Sequence, residues 1–354
     1  MKSNFDFYKG KTVLVTGLTG FKGSWFGFIL SNLGADVIGY SLEPIEKTSL
    51  YSILKLEKKV NSIISDIRDR EKLNEVIKKY KPEIVFHLAA QPLVRESYLD
   101  PYYTYDVNFN GTLNILDSVL KSNSVKSFVN VTTDKVYRNN ETNIAFKEDF
   151  SLDGYDPYSN SKSCSDLVTQ CYKRCFFEKN DVAISTVRAG NVIGGGDFSK
   201  DRIIPDCVRA AKESKDIVIR NPNSIRPYQH VLEPLFAYLL IAKEQYNNIQ
   251  LSGSYNIGPN SEDCVTTREL VELFCKEWGN GLKWICNTEL NAPHEANFLK
   301  LDCEKIKSTF DWRPLLNISE AVNLVCSWSK SYLNKDNVEN ITLDQINAYL
   351  DMIK

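Results

Sequence analysis

The sequence predicts an α/β protein that has a smaller mixed α/β portion at its C-terminal end. Short apolar runs alternate with helical patterns through about residue 190, and most of these runs are continuously apolar, as in a parallel sheet covered on both faces. A glycine-rich turn separates the first run from the first helical pattern, where such folds bind their ligands. Together these observations predict a doubly wound parallel sheet of the Rossmann type.

Each element is predicted from its local composition. The expected strands are short and mostly β-branched or aromatic: residues 12–16, 36–40, 61–65, 84–88, 126–131 and 182–187. The expected helices carry apolar residues every three or four positions: residues 21–33, 70–80, 108–120, 158–177, 267–278 and 318–332, with one more within 334–354. Because Gly, Asn, Pro and Asp cluster after residue 190, we predict a first domain at 1–190, to which later segments return, and a second at 191–354.

Composition argues against several classes of protein. The 354 residues include 43 Lys plus Arg and 45 Asp plus Glu, a balance that disfavours general nucleic-acid binding. The first ten residues form no charged-then-apolar leader and no run of about 18 apolar residues occurs, so we expect neither a signal peptide nor a membrane span. Nine cysteines without CxxC spacing and only three histidines favour buried free thiols in a reducing cytoplasm and no metal site.

The turn after the first strand has the spacing of a dinucleotide-binding loop. Gly17 permits a tight turn, Gly20 lets the backbone approach a pyrophosphate, and Gly23 lets the helix pack closely on the sheet. The helix that begins near Phe21 and Lys22 offers free N–H groups and a positive dipole end to the phosphates. We therefore expect these five residues to bind a cofactor.

The end of the second predicted strand lacks the acidic residue that usually contacts a ribose. The chain has Tyr40 and Ser41 there, with Glu43 slightly later, so NAD and NADP both remain open. We favour NAD because no arginine stands nearby to pair with a 2′-phosphate. Asp66 and Ile67, after the third strand, suit an adenine edge, although Asp66 is also a common turn residue.

A tyrosine and a lysine one turn apart form the second signal. Tyr158 and Lys162 lie at i and i+4, on one face of a predicted helix. A nearby ammonium group lowers the pKa of a phenol, so that the phenolate can take a proton from a sugar hydroxyl. Residues 132–137 end the preceding strand at the sheet edge where ligands bind, and they include Thr133.

With these segments the chain resembles the extended short-chain dehydrogenases/reductases, in the branch of nucleotide-sugar 4,6-dehydratases. The resemblance runs over about residues 8–330. Its most specific segments are residues 20–25, 87–95, 132–135, 188–197 and 221–230. Most of these dehydratases have Asp-Glu after the threonine, whereas the branch that acts on CDP-glucose has Asp-Lys, as here at Asp134 and Lys135. The resemblance therefore implies NAD as cofactor and CDP-glucose as substrate.

The resemblance also implies roles for the catalytic residues. Tyr158, which shares a hydrogen bond with Thr133, takes the C4 hydroxyl proton while a hydride leaves C4, and Lys162 orients the ribose. Asp134 protonates the leaving C6 hydroxyl, and the hydride returns to C6. Lys135 stands where the wider family has the glutamate that removes the C5 proton, so it is either a neutral base with a lowered pKa or an electrostatic stabiliser of the enolate.

The remaining site residues are expected to contact cofactor and substrate. The resemblance places Gln91 near cofactor and sugar, with Leu88, Ala89 and Ala90 against the cofactor. Cationic side chains suit a diphosphate, so we expect Arg226 there first and Arg202 and His294 as weaker candidates, with Asn191 as a donor. His87, within an apolar strand, is expected to be a core histidine instead. His230 could simply begin a helix.

Members of this family form homodimers through two helices of each subunit, which here correspond to residues 108–120 and 158–177. Leu113, Leu116 and Leu167 suit such an interface, but a stripe that faces the core has the same pattern. The family further implies that the product leads to a dideoxysugar of a surface polysaccharide, such as an O-antigen.

Two other functions remain open. One is a 4,6-dehydratase, 4-epimerase or C4 reductase acting on a dTDP-, GDP- or UDP-linked sugar, although an epimerase would not need Asp134 and Lys135. The other is a dinucleotide-binding regulator without catalysis, which Thr133, Tyr158 and Lys162 argue against.

Overall fold

The computed structural model describes residues 4–44, 48–142, 144–287 and 298–353. The strands are β1 (Thr12–Thr16), β2 (Asp36–Ser41), β3 (Asn61–Ile64), β4 (Ile84–His87), β5 (Ser127–Val131), β6 (Ala183–Ala189), β7 (Val192–Ile193), β8 (Ile217–Ile219), β9 (Ile225–Arg226), β10 (Gln229–His230), β11 (Ser254–Ile257), β12 (Val265–Thr266) and β13 (Trp284–Cys286). The helices are α1 (Phe21–Asn32), α2 (Leu50–Ile53), α3 (Arg70–Tyr80), α4 (Val94–Leu99), α5 (Pro101–Tyr105), α6 (Gly111–Leu120), α7 (Pro157–Cys175), α8 (Ile203–Lys212), α9 (Leu232–Asn247), α10 (Thr267–Trp278), α11 (Glu304–Phe310), α12 (Ile318–Leu333) and α13 (Val338–Met352).

Seven strands form one sheet in the order β3-β2-β1-β4-β5-β6-β11, and every neighbouring pair is parallel. The predicted fold class is confirmed. The strand order reverses between β1 and β4, and ligands bind at such a reversal, outside the carboxyl ends of the strands. The last strand, β11, comes from the second half of the chain, so later segments do return to the first layer.

Helices cover both faces of the sheet. On one face, α1 and α9 pack through residues such as Phe26, whose ring meets that of Phe86 edge-on at 4.6 Å between centroids. On the other face, α3 and α6 bury Leu73, Ile115 and Leu116. Leu116 is therefore a core residue, which is the second of the two alternatives that its sequence pattern left open. A separate apolar core lies in the second half of the chain, between α8, α10 and α12.

The helix predicted at 108–120 begins earlier, at Pro101. Asp100 caps it by accepting a hydrogen bond from the amide of Tyr103 at 2.9 Å, and proline is favourable at the first helical position. One π turn, Asp106–Asn110, joins α5 to α6. Such a turn shifts the helical register and is frequent at functional sites.

The helix that carries Tyr158 is fixed at its start by local chemistry. Pro157 occupies its first position, and the carboxylate of Asp156 accepts hydrogen bonds from the amide of Ser159 at 2.9 Å and from its hydroxyl at 2.6 Å. A cap of this kind contributes about 1 kcal/mol to stability. The first turn of α7, which includes Tyr158, is therefore held in one geometry.

The nine cysteines are all free thiols. Six are buried or half-buried, but Cys171, Cys175 and Cys286 are exposed, so the expectation of burial is wrong for these three. Among the helices of the described residues, none is both long enough and apolar enough to span a bilayer.

A buried carboxylate joins the C-terminal helix to the rest of the fold. Glu233 of α9 accepts hydrogen bonds from the amides of Leu315 and Leu316 at 2.8 and 2.7 Å and from the hydroxyl of Tyr349 in α13 at 2.8 Å. Burial raises the pKa of Glu233 to about 7, although the three donors oppose this shift. A carboxyl whose pKa is higher in the folded than in the unfolded state stabilises the fold fully only below the unfolded pKa.

We therefore expect Glu233→Gln to flatten the pH dependence of stability. Wild-type stability should fall relative to the variant as pH rises from about 4.5 to about 7, by roughly 3 kcal/mol at most, since one pKa unit equals about 1.4 kcal/mol. Urea unfolding at pH 4.5, 6 and 7.5 measures this difference. Glu75→Gln, at an exposed position, is the control. A variant that keeps the wild-type pH dependence contradicts the expectation.

Candidate active site

The glycine-rich turn leaves an open cradle at the carboxyl end of β1. Gly17 has a φ of +74°, and a Cβ there would lie 2.8 Å from the amide nitrogen of Ala89. A Cβ on Gly23 would lie 2.1 Å from the carbonyl oxygen of Gly17, so the helix touches the turn directly. At Gly20 the nearest atom to a Cβ would be 3.4 Å away. The turn is therefore closed around Gly17 and Gly23 and open at Gly20.

The start of α1 fits a diphosphate group. Gly20 precedes the helix and provides no side-chain cap for the amides of the first turn. Such uncapped amides and the helix dipole attract an anion. The ring of Phe21 faces Gly194, whose Cβ would lie 3.0 Å from it. The residues present in this turn thus fit the dinucleotide that the sequence predicts.

The residues after β2 and β3 that are expected to contact a cofactor already make contacts within the protein. The Ser41 hydroxyl accepts a hydrogen bond from the amide of Thr19 at 3.2 Å and so braces the glycine turn. The Asp66 carboxylate pairs with Arg68 at 2.7 Å, which lowers the pKa of Asp66. Ile67 is buried against Gly111. The contacts expected from Ser41, Asp66 and Ile67 to a cofactor stay predictions.

The loop after β4 is held against β1 by one threonine. The Thr16 hydroxyl accepts hydrogen bonds from the amides of Leu88 and Ala89 at 3.1 and 3.2 Å and bonds the Nδ1 of His87 at 2.8 Å. The other ring nitrogen of His87 lies 3.2 Å from the hydroxyl of Thr112. Burial lowers the pKa of His87 to about 3, so the ring is neutral. His87 is the core histidine that the sequence predicts.

Gln91 supports this loop through its own side chain. Its amide group donates to the hydroxyl of Thr104 at 2.9 Å and accepts from the amide of Leu93 at 2.6 Å. Its backbone N–H donates to Asn108 of the π turn at 2.8 Å. These bonds show that Gln91 shapes the loop, and its expected contact with the sugar stays a prediction. The preceding Ala90 is half-buried.

Three catalytic candidates stand together at the end of β5. Thr133 begins a one-turn 3₁₀ helix, and its hydroxyl donates to Oδ1 of Asp134 at 3.0 Å and accepts from the amide of Lys135 at 3.4 Å. Asp134 is 1% exposed, and its Oδ2 has no hydrogen-bond partner within the described part of the chain. Burial raises the pKa of Asp134, against the nearby charge of Lys135. The direction of this shift favours the protonated form relative to an exposed carboxyl. Lys135 itself is half-buried.

Tyr158 reaches the same point from α7. Burial raises the pKa of its phenol to about 12, while a hydrogen bond with Thr133 and the charge of Arg202 lower it. Desolvation of the phenolate outweighs these favourable contacts in the protein alone. The expected effect of Lys162 on this pKa stays a prediction.

Lys162 points at the sheet edge. Its Nζ donates to the carbonyl oxygen of Val131 at 2.9 Å, and the residue is 3% exposed. Burial lowers the pKa of Lys162 to about 8, whereas the negative charge of Asp166, one turn further along α7, raises it. Lys162 therefore stands at the end of β5, where it can bind a ligand lying across the sheet edge.

Three further cations lie near Asp134 and Tyr158. Arg226 is buried, and its charge lowers the pKa of Asp134, as does that of Lys22. Burial and the charge of Arg202 lower the pKa of Lys22 to about 8. Arg202 pairs with the buried carboxylate of Asp197 at 3.3 Å. The charge of Arg202 also acts on Tyr158, so Arg202 lies near the catalytic candidates, and its expected contact with the substrate stays a prediction.

The structure places several residues at or near the site differently from the sequence-based prediction. Asp197, which pairs with Arg202, enters the sequence-based prediction only as the last residue of the segment 188–197. The sequence gives no signal for Tyr238. Its hydroxyl is buried and has no hydrogen-bond partner among the described residues. Tyr158 is close enough to raise the pKa of Tyr238. His230 ends the short strand β10 and is buried, so it does not begin α9. Asn191 is half-buried beside β7. His294 lies outside the described residues.

Comparison with known proteins gives consistent matches. Residues 14–325 match the family model described as GDP-mannose 4,6 dehydratase. The chain is 43% identical over 351 residues to CDP-glucose 4,6-dehydratase of Salmonella typhimurium, covering 98% of both chains. It is 25% identical to CDP-paratose 2-epimerase of Salmonella typhi, covering 90% of this chain and 99% of that one.

Solved structures share the fold at lower identity. A dTDP-glucose 4,6-dehydratase from Bacillus anthracis in complex with NAD superimposes with a TM-score of 0.75 at 23% identity, over 91% of this chain and 97% of that one. A UDP-glucose 4-epimerase from Thermotoga maritima with UDP-glucose gives a TM-score of 0.80 at 21% identity, over 91% and 99%.

Two glycine variants should separate folding from cofactor binding. Gly23→Ala is expected to lower stability by about 1–3 kcal/mol, because its methyl group would overlap the carbonyl of Gly17. Gly20→Ala, at a φ of −75° that alanine adopts readily, should leave stability nearly unchanged and weaken NAD binding at least tenfold. Thermal unfolding and calorimetric titration with NAD measure the two effects. Unchanged NAD affinity in Gly20→Ala would contradict the placement of the diphosphate.

Proposed function

Since this chain belongs to the GDP-mannose 4,6-dehydratase family, we propose that it is an NAD-dependent hydro-lyase that converts CDP-D-glucose to CDP-4-dehydro-6-deoxy-D-glucose. The substrate assignment is supported by the full-length identity to the Salmonella typhimurium enzyme. The observation that carries the proposed reaction is the buried Asp134, a carboxyl with a raised pKa and one unpartnered oxygen, beside the Tyr158–Thr133 pair.

The cofactor would lie across the carboxyl ends of β1 and β4. Gly17, Gly20 and the first turn of α1 would hold its diphosphate, and Lys162 its nicotinamide ribose. When bound, NAD supplies an acceptor for the hydride from C4 and a donor of the same hydride to C6.

Tyr158 and Thr133 act on the C4 hydroxyl. Tyr158 removes its proton, for which the phenol must first ionise. The hydrogen bond from Thr133 and the charge of Arg202 both favour that ionised form. Lys162, whose Nζ donates a hydrogen bond to the Val131 carbonyl, would orient the nicotinamide ribose.

Asp134 and Lys135 act on C6 and C5. The C4 ketone makes the C5 proton acidic, and Lys135 either takes this proton or stabilises the enolate that its loss creates. Asp134 gives a proton to the C6 hydroxyl, which leaves as water. Because burial raises the pKa of Asp134, its carboxyl is better suited to act as a general acid than an exposed aspartate would be.

The substrate diphosphate would lie between Arg202 and Arg226, which approach Asp134 from the second half of the chain. An arginine fork binds phosphate oxygens in pairs. Asn191, on the same side, would donate a further hydrogen bond. The assignment of His294 to the substrate stays a prediction.

Incubation with CDP-glucose and NAD tests the proposed function. We expect a product that has lost one water and absorbs in alkali as a 4-ketosugar. An isomer without water loss would favour a 4-epimerase instead. Turnover of dTDP-, GDP- or UDP-glucose in preference to CDP-glucose would overturn the substrate assignment.

Variants of Lys135 distinguish a base from an electrostatic stabiliser. If Lys135 removes the C5 proton, Lys135→Met should lose at least 100-fold in kcat, while Lys135→Glu should keep part of it because a carboxylate can also act as a base. If the positive charge stabilises the enolate, Lys135→Glu should be the more damaging change. Steady-state kinetics over pH 5–9 compares the variants. Full activity of Lys135→Met would exclude any essential chemistry by this lysine.

A homodimer is supported by exposed apolar side chains on neighbouring helices. Leu99 and Tyr102 belong to α4 and α5, and Leu167 belongs to α7, which packs beside them. Leu113 of α6 is half-buried and could also contribute. Large exposed apolar residues grouped in this way mark protein interfaces.

We expect Leu167→Arg to convert a dimer to a monomer. An arginine at a packed interface position would leave a buried charge without a partner. Val218→Arg is the matched control, because Val218 has a similar exposure of 48%, against 49% for Leu167, on a strand outside this patch. Sedimentation velocity of both variants gives the oligomeric state. A dimer that survives Leu167→Arg would place the interface elsewhere.

The cellular setting follows from the same proposal. Nine free thiols suit a reducing compartment such as the cytoplasm. The 4-ketosugar product is chemically poised for further deoxygenation, as required for a dideoxysugar of a surface polysaccharide.

A further inference from the structure

The two segments that carry the expected diphosphate arginines meet again outside the catalytic centre. Asp201 directly precedes Arg202, and Arg220 stands between β8 and the short strand β9, which ends at Arg226. Nη1 of Arg220 donates to Oδ1 of Asp201 at 3.0 Å. An ion pair therefore joins the segment of Arg202 to the segment of Arg226.

This ion pair lies at the outer end of the site, where the two halves of the chain face each other. Nη1 of Arg95, in α4 of the first half, is 4.0 Å from the same Oδ1 of Asp201. The exposed fraction rises from 1% for Asp134 to 35% for the side chain of Arg202 and 51% for that of Asp201. The pair is therefore open to a ligand that enters from solvent.

The order of groups in a nucleotide sugar decides which group would face this pair. The diphosphate separates the hexose from the nucleoside. The hexose would lie at the buried Asp134, and the diphosphate between Arg202 and Arg226. The nucleoside must then extend toward solvent, on the side where Asp201 and Arg220 lie.

The hydrogen-bonding pattern of the pair matches the edge of cytosine. A carboxylate only accepts hydrogen bonds, and a guanidinium only donates them. Both ionic contacts that Asp201 makes among the described residues use Oδ1, which leaves Oδ2 to accept. Cytosine presents one donor, its C4 amino group, followed by two acceptors, N3 and O2. Uracil and thymine present an acceptor, O4, followed by a donor, N3–H, so a carboxylate and a guanidinium would oppose them.

We propose that Asp201 and Arg220 read the nucleobase of the substrate and select cytosine. Asp201 accepts a hydrogen bond from the C4 amino group, and Arg220 donates to N3 and O2. Five N–H groups allow one guanidinium to bond a carboxylate and a base together. This inference rests on the proposed function, because it assumes the place of the diphosphate, and it adds the residues that distinguish CDP-glucose from UDP- and dTDP-glucose.

Calorimetric titration of NAD-loaded protein with CDP and with UDP tests this assignment without turnover. We expect the wild type to bind CDP roughly tenfold or more tightly than UDP. Asp201→Asn keeps the size of the side chain, and asparagine tolerates the left-handed φ of +57° at this position. Because its amide can donate to O4 of uracil as well as accept from cytosine, the ratio of CDP to UDP affinity should fall below about threefold. An unchanged ratio would overturn the assignment.

Arg220→Met removes the donors to N3 and O2 of cytosine. We expect it to weaken CDP binding roughly tenfold or more beyond any weakening of UDP binding, because the guanidinium opposes the N3–H of uracil. Equal weakening of both would show that Arg220 acts only through its charge on the diphosphate, and the assignment would be wrong.

Asp117→Asn is the matched control for loss of an aspartate that pairs with an arginine. Asp117 of α6 pairs with Arg70 of α3 at 2.7 Å, in the helical layer on one face of the sheet. This variant should keep the wild-type ratio of CDP to UDP affinity. A ratio that falls as far as in Asp201→Asn would show a general effect of the lost charge, and the base assignment would be wrong.

The binding measurements separate this inference from the proposed function. If the wild-type enzyme converted CDP-glucose with loss of water but bound CDP and UDP equally, the function would stand and the base-reading pair would be wrong. If it left CDP-glucose unchanged while Asp201→Asn still abolished a preference for CDP, the proposed reaction would fail and the base assignment would stand.

Discussion

An ion pair without solvent contact supports the whole catalytic edge of the sheet. Arg188 of β6 donates to Asp166 of α7 at 2.8 and 2.9 Å, and both side chains are fully buried. The same guanidinium donates to the hydroxyl of Tyr137, and Asp166 accepts from Thr132. Removal of one partner from such a pair costs about 3–5 kcal/mol, because the other charge remains buried. The pair therefore fixes α7 against the ends of β5 and β6.

That constraint determines what Tyr158 and Lys162 can reach. Both lie within the two turns before Asp166 on the same helix, so a fixed α7 presents the phenol to Thr133 and the ammonium to the Val131 carbonyl. Asp166 also keeps Lys162 more basic than burial alone would allow. One structural carboxylate thus serves both packing and the charge of the site.

Burial raises the pKa of both catalytic groups, but this helps one of them and hinders the other. It raises the pKa of Asp134, which suits a group that must donate a proton, and it raises the pKa of Tyr158, which opposes the phenolate that must accept one. The charge of Arg202 partly offsets the second effect, and the charges of Lys22 and Arg226 partly offset the first without abolishing it. Two of these three come from outside the glycine turn, from the second half of the chain.

The sequence by itself determined the parallel sheet, the glycine turn and the Tyr158–Lys162 pair, because these depend on local spacing: apolar runs, glycine at fixed intervals and one helical turn. It did not reveal the π turn before α6 or the Gln91 contacts, and it left open whether Leu116 faces the core or a subunit interface, since these depend on partners distant in the chain. Nor did it show that burial raises the pKa of Tyr158. The pKa of a group reflects how much solvent it loses and which charges surround it, and only the tertiary structure decides both.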